Sequence, residues 1–269
     1  MSTVDLLVVG GTGLLGSAIV ELAESRGLRW AATFHSTPRS GDRWHQADLA
    51  DIAPVLGELR PAAVVNAAYV PKGPGLTEIT GDAPVTIAEW TTAHDARFVQ
   101  LSTDIVFDGQ LDRAYTEADP PNPVNDYGRA KASMEAAVAS ADPGAVLVRT
   151  SLLWGGSGDG GPQVRLVQNP DVRFFTDEFR NPLEVTSLAE ACLELVDRPD
   201  ITGLLHVAGP ERVDRLTFAR ALAPLAGVDP ETLRGGTGAS MPGRPADVSL
   251  DSSLAESVLQ TELRGLPEG

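Results

Sequence analysis

The sequence predicts an α/β protein with a doubly wound parallel sheet and a smaller, irregular C-terminal region. Three observations predict this class. A glycine-rich turn joins the first strand to the first helix, and apolar runs recur with helix-like stretches between them. After residue 150 the sequence becomes less regular, with a loop and connections that are rich in glycine and proline. The strands of a parallel sheet are buried on both faces and read as continuous apolar runs, as these runs do.

The first domain is predicted to span residues 1–150. Its first strand, at residues 5–9, runs into the turn GGTGLLG (10–16) and then into a helix that Gly27 ends. The next four strands are predicted at 29–34, 62–68, 97–101 and 145–148. Helix-like stretches between these strands predict parallel pairing.

The second region is predicted to span residues 151–269 and to be less regular. Its loop at 155–161 is rich in glycine and is expected to carry neither strand nor helix. Two helices are predicted beyond this loop, at 187–196 and 217–226, and part of the sheet is expected from 183–209.

Composition and charge exclude several classes of function. The 269 residues are 42% hydrophobic and carry a formal net charge of −16. So acidic a chain is a poor partner for nucleic acid or an anionic membrane, because both need a positive field. The single cysteine, Cys192, lies among apolar residues and is expected to be buried, and four scattered histidines predict no metal site. The sequence has no long apolar run and no signal-peptide pattern. With a single cysteine, the chain can form no internal disulfide, so a reducing, cytoplasmic location is expected.

The glycine-rich turn is the first candidate for chemistry. Gly10, Gly13 and Gly16 form G-x-x-G-x-x-G between a strand and a helix. Glycines there allow a tight turn and let a pyrophosphate approach the N–H groups at the helix N-terminus. This predicts a Rossmann-type dinucleotide site, and a plain tight turn is the alternative. The cofactor contacts expected in this turn are Gly10, Thr12, Gly13, Leu14, Leu15 and Gly16.

Residues 25–41 indicate which dinucleotide is bound. A site that prefers NAD(H) usually has an acidic residue at the end of the second strand, and this segment has none. The segment instead holds three donors that suit a 2′-phosphate: His35, Ser36 and Arg39. NADP(H) is therefore predicted over NAD(H), and solvated loop residues are the alternative. Asp48, beside Leu49, could accept from the adenine amino group or could cap a helix.

The pair Tyr127 and Lys131 is the sharpest chemical signal. The two residues are four apart and share a face of a predicted helix. The chain has only three tyrosines and two lysines, so a chance pairing explains them poorly. A nearby ammonium lowers the pKa of a phenol, which makes Tyr127 a usable proton donor near neutral pH. Thr103, at the end of a strand, could donate to the same substrate carbonyl. The alternatives are a surface lysine on an amphipathic helix and turn chemistry at Thr103.

Eight stretches, spread over nearly the whole chain, resemble one enzyme family. They read GGTGLLG (10–16), VVNAAY (64–69), LSTDIVFDG (101–109), NPVNDYGRAKASMEAAV (122–138), VRTSLLWG (148–155), DEFRNPLEV (177–185), GLLHVAG (203–209) and GRPADVSLDSS (243–253). The sequence resembles the extended short-chain dehydrogenase/reductases, and within that group it is similar to the dTDP-4-dehydrorhamnose reductases.

The resemblance implies a three-part site. The catalytic residues would be Thr103, Tyr127 and Lys131. The cofactor would also be lined by Asn66, Ala67, Ala68 and Ser102. The substrate side would hold Asp104, Val106, Phe107, Trp154, Arg180, Asn181 and Arg244.

The predicted function is that of an NADP(H)-dependent carbonyl reductase. The resemblance implies that Tyr127 delivers a proton to a ketone oxygen, Thr103 bonds the same oxygen, and Lys131 tunes Tyr127 and holds the nicotinamide ribose. The best substrate candidate is a 4-keto-6-deoxy sugar nucleotide, and a homodimer is a candidate assembly. The chain departs from the family pattern on the substrate side, for example at residues 180–183. Another biosynthetic ketone, an epimerase reaction, and a non-catalytic dinucleotide-binding subunit are therefore the alternatives.

Overall fold

The computed structural model describes residues 4–156, 160–238 and 241–267. Within them the chain forms two compact units. Unit 1 comprises the described parts of Met1–Ser102, Arg129–Val148 and Ala189–Leu204, and unit 2 those of Thr103–Gly128, Arg149–Leu188 and Leu205–Gly269. This division differs from a single boundary at residue 150, because each unit is assembled from three separate segments.

The described secondary structure alternates between strands and helices. The strands are β1 (Leu6–Val9), β2 (Trp30–Phe34), β3 (Trp44–Gln46), β4 (Ala63–Asn66), β5 (Arg97–Thr103), β6 (Val146–Thr150), β7 (Leu153–Trp154), β8 (Arg173–Phe175), β9 (Phe179–Arg180), β10 (Leu183–Glu184), β11 (Gly203–His206), β12 (Val213–Asp214) and β13 (Arg234–Gly236). The α-helices are α1 (Leu14–Ser25), α2 (Ala53–Leu59), α3 (Ala83–His94), α4 (Asp126–Ala141), α5 (Gly161–Val167), α6 (Val185–Val196), α7 (Arg215–Ala226) and α8 (Ser253–Val258). Short 3₁₀-helices lie at Leu49–Asp51, Asp104–Val106 and Pro230–Thr232, and a π-helix at Leu76–Asp82.

A seven-stranded parallel sheet organises unit 1. Its order is β11-β6-β5-β4-β1-β2-β3, so the chain winds outward from β1 in both directions. In the register, Leu6 of β1 lies opposite Trp30 of β2 and Ala63 of β4. This arrangement confirms the predicted α/β, Rossmann-type class. The carboxyl ends of such strands, where the chain turns toward the next helix, are where ligands bind.

The continuous apolar runs became the central strands because both faces of the sheet are covered. All residues of β1, β2 and β4 are buried. One core cluster joins Leu7, Val64 and Phe98 of the sheet to Ile87 of α3 and Met134 of α4. Each such side chain contributes about 1.5–3 kcal/mol on burial.

Unit 2 contains short strand pairs and a second core. Its pairs are β7 with β10, β9 with β12, and β8 with β13. Trp154, Val164 and Phe218 centre its core, which α5 and α7 build together. The sequence did not predict α5 or α8. Helix α5 begins at Gly161, inside the segment expected to be loop, and residues 157–159 of that segment lie outside the described residues.

Candidate active site

The turn between β1 and α1 holds glycines that the fold itself requires. Gly10 has a φ of +83°, and a Cβ there would lie 2.9 Å from the Cβ of Ala68. A Cβ on Gly16 would lie 2.1 Å from the carbonyl oxygen of Gly10. Side chains at these two positions are therefore incompatible with the tight turn, whether or not a ligand binds.

Gly13 differs from these two glycines. It is exposed, its φ is −75°, and a Cβ there would meet nothing closer than 3.4 Å. Gly13 is the N-cap of the 12-residue helix α1, and within the described chain no side chain caps that end. The first N–H groups of a helix have no partner inside the helix and favour an anion. The turn therefore fits a dinucleotide pyrophosphate, and a glycine at 13 leaves room for its approach.

Thr33 secures the glycine-rich turn, and sequence reasoning missed it. The backbone N–H of Gly10 donates to Thr33 Oγ1 at 2.9 Å, and that of Gly11 donates to the Thr33 carbonyl at 2.9 Å. A threonine buried within the apolar strand β2 was the available signal. The bonds tie the end of β2 to the turn, so the two parts of the predicted cofactor site have a fixed arrangement within unit 1.

The residues predicted to favour NADP(H) over NAD(H) lie just beyond β2. His35, Ser36 and Arg39 are all exposed, and the Arg39 guanidinium lies 5.7 Å from the ring centroid of Trp44. Asp48 accepts from Ala50 N at 3.1 Å and so caps a 3₁₀-helix, which was the alternative stated for it. Leu49, Thr12 and Leu14 are half-buried, and Leu15 is buried.

Asn66 begins a buried hydrogen-bond network in unit 1. Its Nδ2 donates to Gln100 Oε1 at 2.9 Å, and its Oδ1 accepts from Ala68 N at 3.1 Å. Gln100 Nε2 in turn donates to the carbonyl of Leu101 at 2.8 Å. Ala67 N donates to the Val9 carbonyl at 3.0 Å, so the segment after β4 is held beside the end of β1.

Lys131 joins the same network from α4. It is 2% exposed, and its Nζ donates to the Leu101 carbonyl at 2.8 Å. The alternative of a surface lysine is therefore wrong. Burial lowers the pKa of Lys131 to about 8, while the charge of Glu135 opposes this effect. This pKa still lies above neutral pH, which favours the ammonium form at pH 7. Ser102, the residue after Leu101, is also buried.

Tyr127 lies in the first turn of α4 and is half-buried. Asn125 fixes this turn, because its Oδ1 accepts from Gly128 N at 2.8 Å and its Nδ2 donates to the Gly243 carbonyl at 3.0 Å. A Cβ on Gly128 would lie 2.3 Å from the carbonyl oxygen of Ile105. The glycine therefore allows the first turn of α4 to approach the segment that follows Thr103.

Thr103 and Asp104 form a polar turn at the end of β5. Thr103 Oγ1 accepts from Ile105 N at 3.2 Å and donates to Asp104 Oδ1 at 3.2 Å. The turn chemistry stated as the alternative is thus present. Asp104 is buried, accepts from Ser151 Oγ at 2.6 Å and lies 3.6 Å from Arg180 Nε. Burial raises the pKa of Asp104, and Arg180 opposes that rise.

Three arginines surround one buried carboxylate in unit 2. Glu178 lies 3.2 Å from Arg180, 3.9 Å from Arg215 and 2.5 Å from Arg244. The side chain of Arg244 is 43% exposed, whereas those of Arg180 and Arg215 are 4% and 12% exposed. The resemblance placed the 177–182 loop, which contains Glu178 and Arg180, and Arg244 on the substrate side, whereas Arg215 was missed. With Asp104 the cluster has three positive and two negative side chains, a net charge of +1.

Four other residues predicted on the substrate side are buried in unit 2. Val106 and Phe107 are 0% exposed, and Phe107 stacks on Tyr115 at 4.0 Å between ring centroids. Trp154 Nε1 donates to the Gly265 carbonyl at 2.6 Å. Asn181 bonds the backbone of Leu250 and Gly209 through its Oδ1 and Nδ2, respectively. The structure places these four side chains in packing and bridging roles.

The described residues contain neither a candidate membrane span nor a candidate metal site. None of their helices is both long and apolar enough to cross a membrane. Residues 4–156, 160–238 and 241–267 hold no group of three or more His, Cys, Asp or Glu side chains that could bind a metal ion.

Comparison with known proteins gives matches over nearly the whole chain. The family model described as RmlD substrate binding domain matches residues 4–268. A probable low-salt glycan biosynthesis reductase, Agl14 of Haloferax volcanii, is 31% identical, covering 95% of this chain and 91% of its own. The dTDP-4-dehydrorhamnose reductase of Mycobacterium tuberculosis is 31% identical, covering 97% and 87%. The methionine adenosyltransferase 2 subunit beta of Bos taurus is 28% identical, covering 94% and 82%.

Solved structures show the same fold. A hypothetical dTDP-4-dehydrorhamnose reductase from Sulfolobus tokodaii has a TM-score of 0.81 and 26% identity, covering 99% of this chain and 98% of its own. The dTDP-4-dehydrorhamnose reductase of Bacillus anthracis in complex with NADP has a TM-score of 0.82, 19% identity and coverage of 98% and 96%. Bordetella bronchiseptica WbmH in complex with NAD+ has a TM-score of 0.81, 21% identity and coverage of 98% and 94%.

These similarities confirm the resemblance predicted from the sequence. They also confirm the prediction of an oxidoreductase of the short-chain dehydrogenase/reductase type.

Proposed function

Because this chain belongs to the family of the RmlD substrate binding domain, we propose that it is an NADP(H)-dependent reductase of a 4-keto-6-deoxy sugar nucleotide. One observation carries the proposal. Lys131 is buried one helical turn after Tyr127, and its pKa of about 8 leaves it charged at neutral pH. A buried ammonium is costly, and its place one helical turn after a tyrosine is explained by the proton chemistry that the pair would support.

The chain's own residues would donate the proton and orient the substrate. Tyr127 donates its phenolic proton to the oxygen of the substrate ketone. The Lys131 ammonium stabilises the phenolate that forms, and Thr103 donates a hydrogen bond to the same oxygen. The bound cofactor supplies the hydride that converts the ketone carbon to an alcohol. The ketone thereby gains one hydride and one proton.

A nicotinamide dinucleotide fits the glycine-rich turn. The exposed Gly13 at the N-terminus of α1 suits a pyrophosphate, and the Bacillus anthracis and Bordetella bronchiseptica structures contain NADP and NAD+. The preference for NADP(H) rests on the segment after β2, where His35, Ser36 and Arg39 are exposed donors. No acidic residue in that segment repels a 2′-phosphate.

The substrate proposal rests on relatives and on local charge. Two relatives named above are reductases of sugar nucleotide or glycan pathways. In a chain of net charge −16, the cluster around Glu178 gathers three arginines. Arg244 is the most exposed of them and is the one that a diphosphate would reach. Glu178 partly neutralises the cluster, so a neutral ketone from another pathway is the alternative substrate.

A non-catalytic dinucleotide-binding subunit is the second candidate function. The similarity to methionine adenosyltransferase 2 subunit beta favours it. Tyr127 and the buried Lys131 favour catalysis, because mere binding of a dinucleotide needs no proton donor.

NADPH consumption in the presence of a dTDP-4-keto-6-deoxy sugar tests the proposal. Tyr127→Phe keeps the ring and removes the acid, so turnover is expected to fall at least about 10²-fold with little change in NADPH affinity. Tyr69→Phe is the matched control, because Tyr69 is 55% exposed, and it should keep its turnover. Near-normal turnover of Tyr127→Phe contradicts the mechanism. Cofactor binding without turnover of any ketone favours the subunit.

A further inference from the structure

Glu135 lies one helical turn beyond Lys131, and the mechanism above does not use it. Tyr127, Lys131 and Glu135 are spaced by four residues along α4 and follow one face of the helix. The helical rise puts about 6 Å between successive members and about 12 Å between Tyr127 and Glu135. In the order of the helix, Lys131 therefore lies midway between the other two residues.

Two adjacent residues of β5 bind the side chains of Lys131 and Glu135 on α4. The Leu101 carbonyl accepts from Lys131 Nζ at 2.8 Å, and the Ser102 hydroxyl donates to Glu135 Oε1 at 2.5 Å. Glu135 is 4% exposed and Ser102 is 5% exposed. A buried carboxylate persists in a protein when it is paired or hydrogen-bonded, and Ser102 supplies such a bond.

Burial alone would favour the neutral amine of Lys131. The pKa of Lys131 is lowered mainly by desolvation, and the negative charge of Glu135 raises it. The Leu101 carbonyl, which accepts from Lys131 Nζ at 2.8 Å, carries no charge. The carboxylate of Glu135 therefore supplies the charge that offsets desolvation.

We infer that Glu135 is a positioning residue whose buried carboxylate, held by Ser102, keeps Lys131 protonated. The catalytic consequence rests on the proposed function. The pairing of the two charges is a property of unit 1 and exists without substrate.

Lysine-selective isotope labelling and NMR test the pairing directly. The chain has two lysines, so two signals are expected, and the exposed Lys72 serves as the internal reference. Glu135→Gln keeps the shape and removes the charge, and it should lower the pKa of Lys131 by about 1 to 3 pH units. Glu58→Gln is the matched control, because Glu58 is an exposed residue on α2 of the same unit, and it should leave the Lys131 titration unchanged.

A second variant keeps the test decisive if Glu135→Gln does not fold. Glu135→Asp retains the negative charge but shortens the side chain by one methylene, which moves the carboxylate closer to the backbone of α4. The pKa of Lys131 should therefore fall by less than in Glu135→Gln. An unchanged Lys131 titration in folded Glu135→Gln overturns the inference. If only Glu135→Asp folds, an unchanged titration in that variant overturns it, and a lowered pKa supports it.

The pH profile of turnover separates positioning from a structural role. Raising the pH through the Lys131 pKa removes the ammonium, so kcat should fall on the alkaline side. In Glu135→Gln this fall should begin at a lower pH, displaced by the same amount as the NMR titration, and Glu135→Asp should restore part of the parent profile. A uniform loss of activity with no displacement contradicts the inference. If no ketone supports turnover, the proposed function fails, while the NMR titration still decides the pairing.

Discussion

Gly13→Ala separates what a ligand requires from what the fold requires. The backbone at Gly13, with φ −75°, suits any residue, and the added methyl would meet only the Gly10 carbonyl oxygen, at 3.4 Å. The methyl would point into an exposed region. Alanine is a poorer N-cap than glycine, so the free energy of unfolding should fall by no more than about 1 kcal/mol.

Cofactor binding should respond much more strongly to the same change. In the proposed cofactor site, the methyl would lie where the pyrophosphate approaches the first N–H groups of α1, and it would displace at least one charge-assisted hydrogen bond. Such a bond contributes about 1.5–3 kcal/mol, which corresponds to an increase in Kd of about 10- to 150-fold. Calorimetric titration with NADPH measures the affinity, and urea unfolding of the same samples measures the stability.

Gly16→Ala is the matched comparison. Its Cβ would lie 2.1 Å from the Gly10 carbonyl oxygen, so the backbone of the turn must move. Overpacking of this kind costs about 1–3 kcal/mol, and unfolding should occur at a clearly lower urea concentration. Parent-like NADPH affinity in folded Gly13→Ala refutes the reasoning, as does a stability loss equal to that of Gly16→Ala.

Three other changes test cofactor choice, substrate charge and burial. Ser36→Asp should reverse the preference for NADPH over NADH in binding titrations, through repulsion of the 2′-phosphate, whereas an unchanged ratio would mean that another residue reads the phosphate. Arg244→Ala should raise KM for a sugar nucleotide about 10- to 150-fold with a smaller effect on kcat, since a remote phosphate contact acts on ground and transition states alike. The exposed Arg212→Ala should change neither constant, and equal effects of the two variants would contradict the assignment. Cys192, on α6, should resist iodoacetamide at pH 8 until the protein unfolds, because burial raises the pKa of its thiol to about 12. Labelling of Cys192 in the native protein would show that α6 opens.

The elements of unit 1 could be predicted because their signals are local. The apolar runs that became β1, β2 and β4 needed only their own composition to identify them as buried strands. The glycines of the first turn and the four-residue spacing of Tyr127 and Lys131 are likewise short patterns. Helix α5 escaped prediction because it starts at a glycine and is stabilised by packing against α7 rather than by its own propensity.

By itself the sequence determined the α/β class, the glycine-rich turn after the first strand and the tyrosine–lysine pair, since each depends on residues close together in the chain. Only the tertiary structure showed that Gly16 is required by packing whereas Gly13 is not, because that depends on the distance from an added Cβ to a carbonyl oxygen. Only it placed Arg215 and Arg244 around Glu178, which lies 37 and 66 residues away. It also brought Ser102 to Glu135, across 33 residues. Such pairs carry no sequence signal, because their energies arise only when folding brings remote segments together and removes water from both partners.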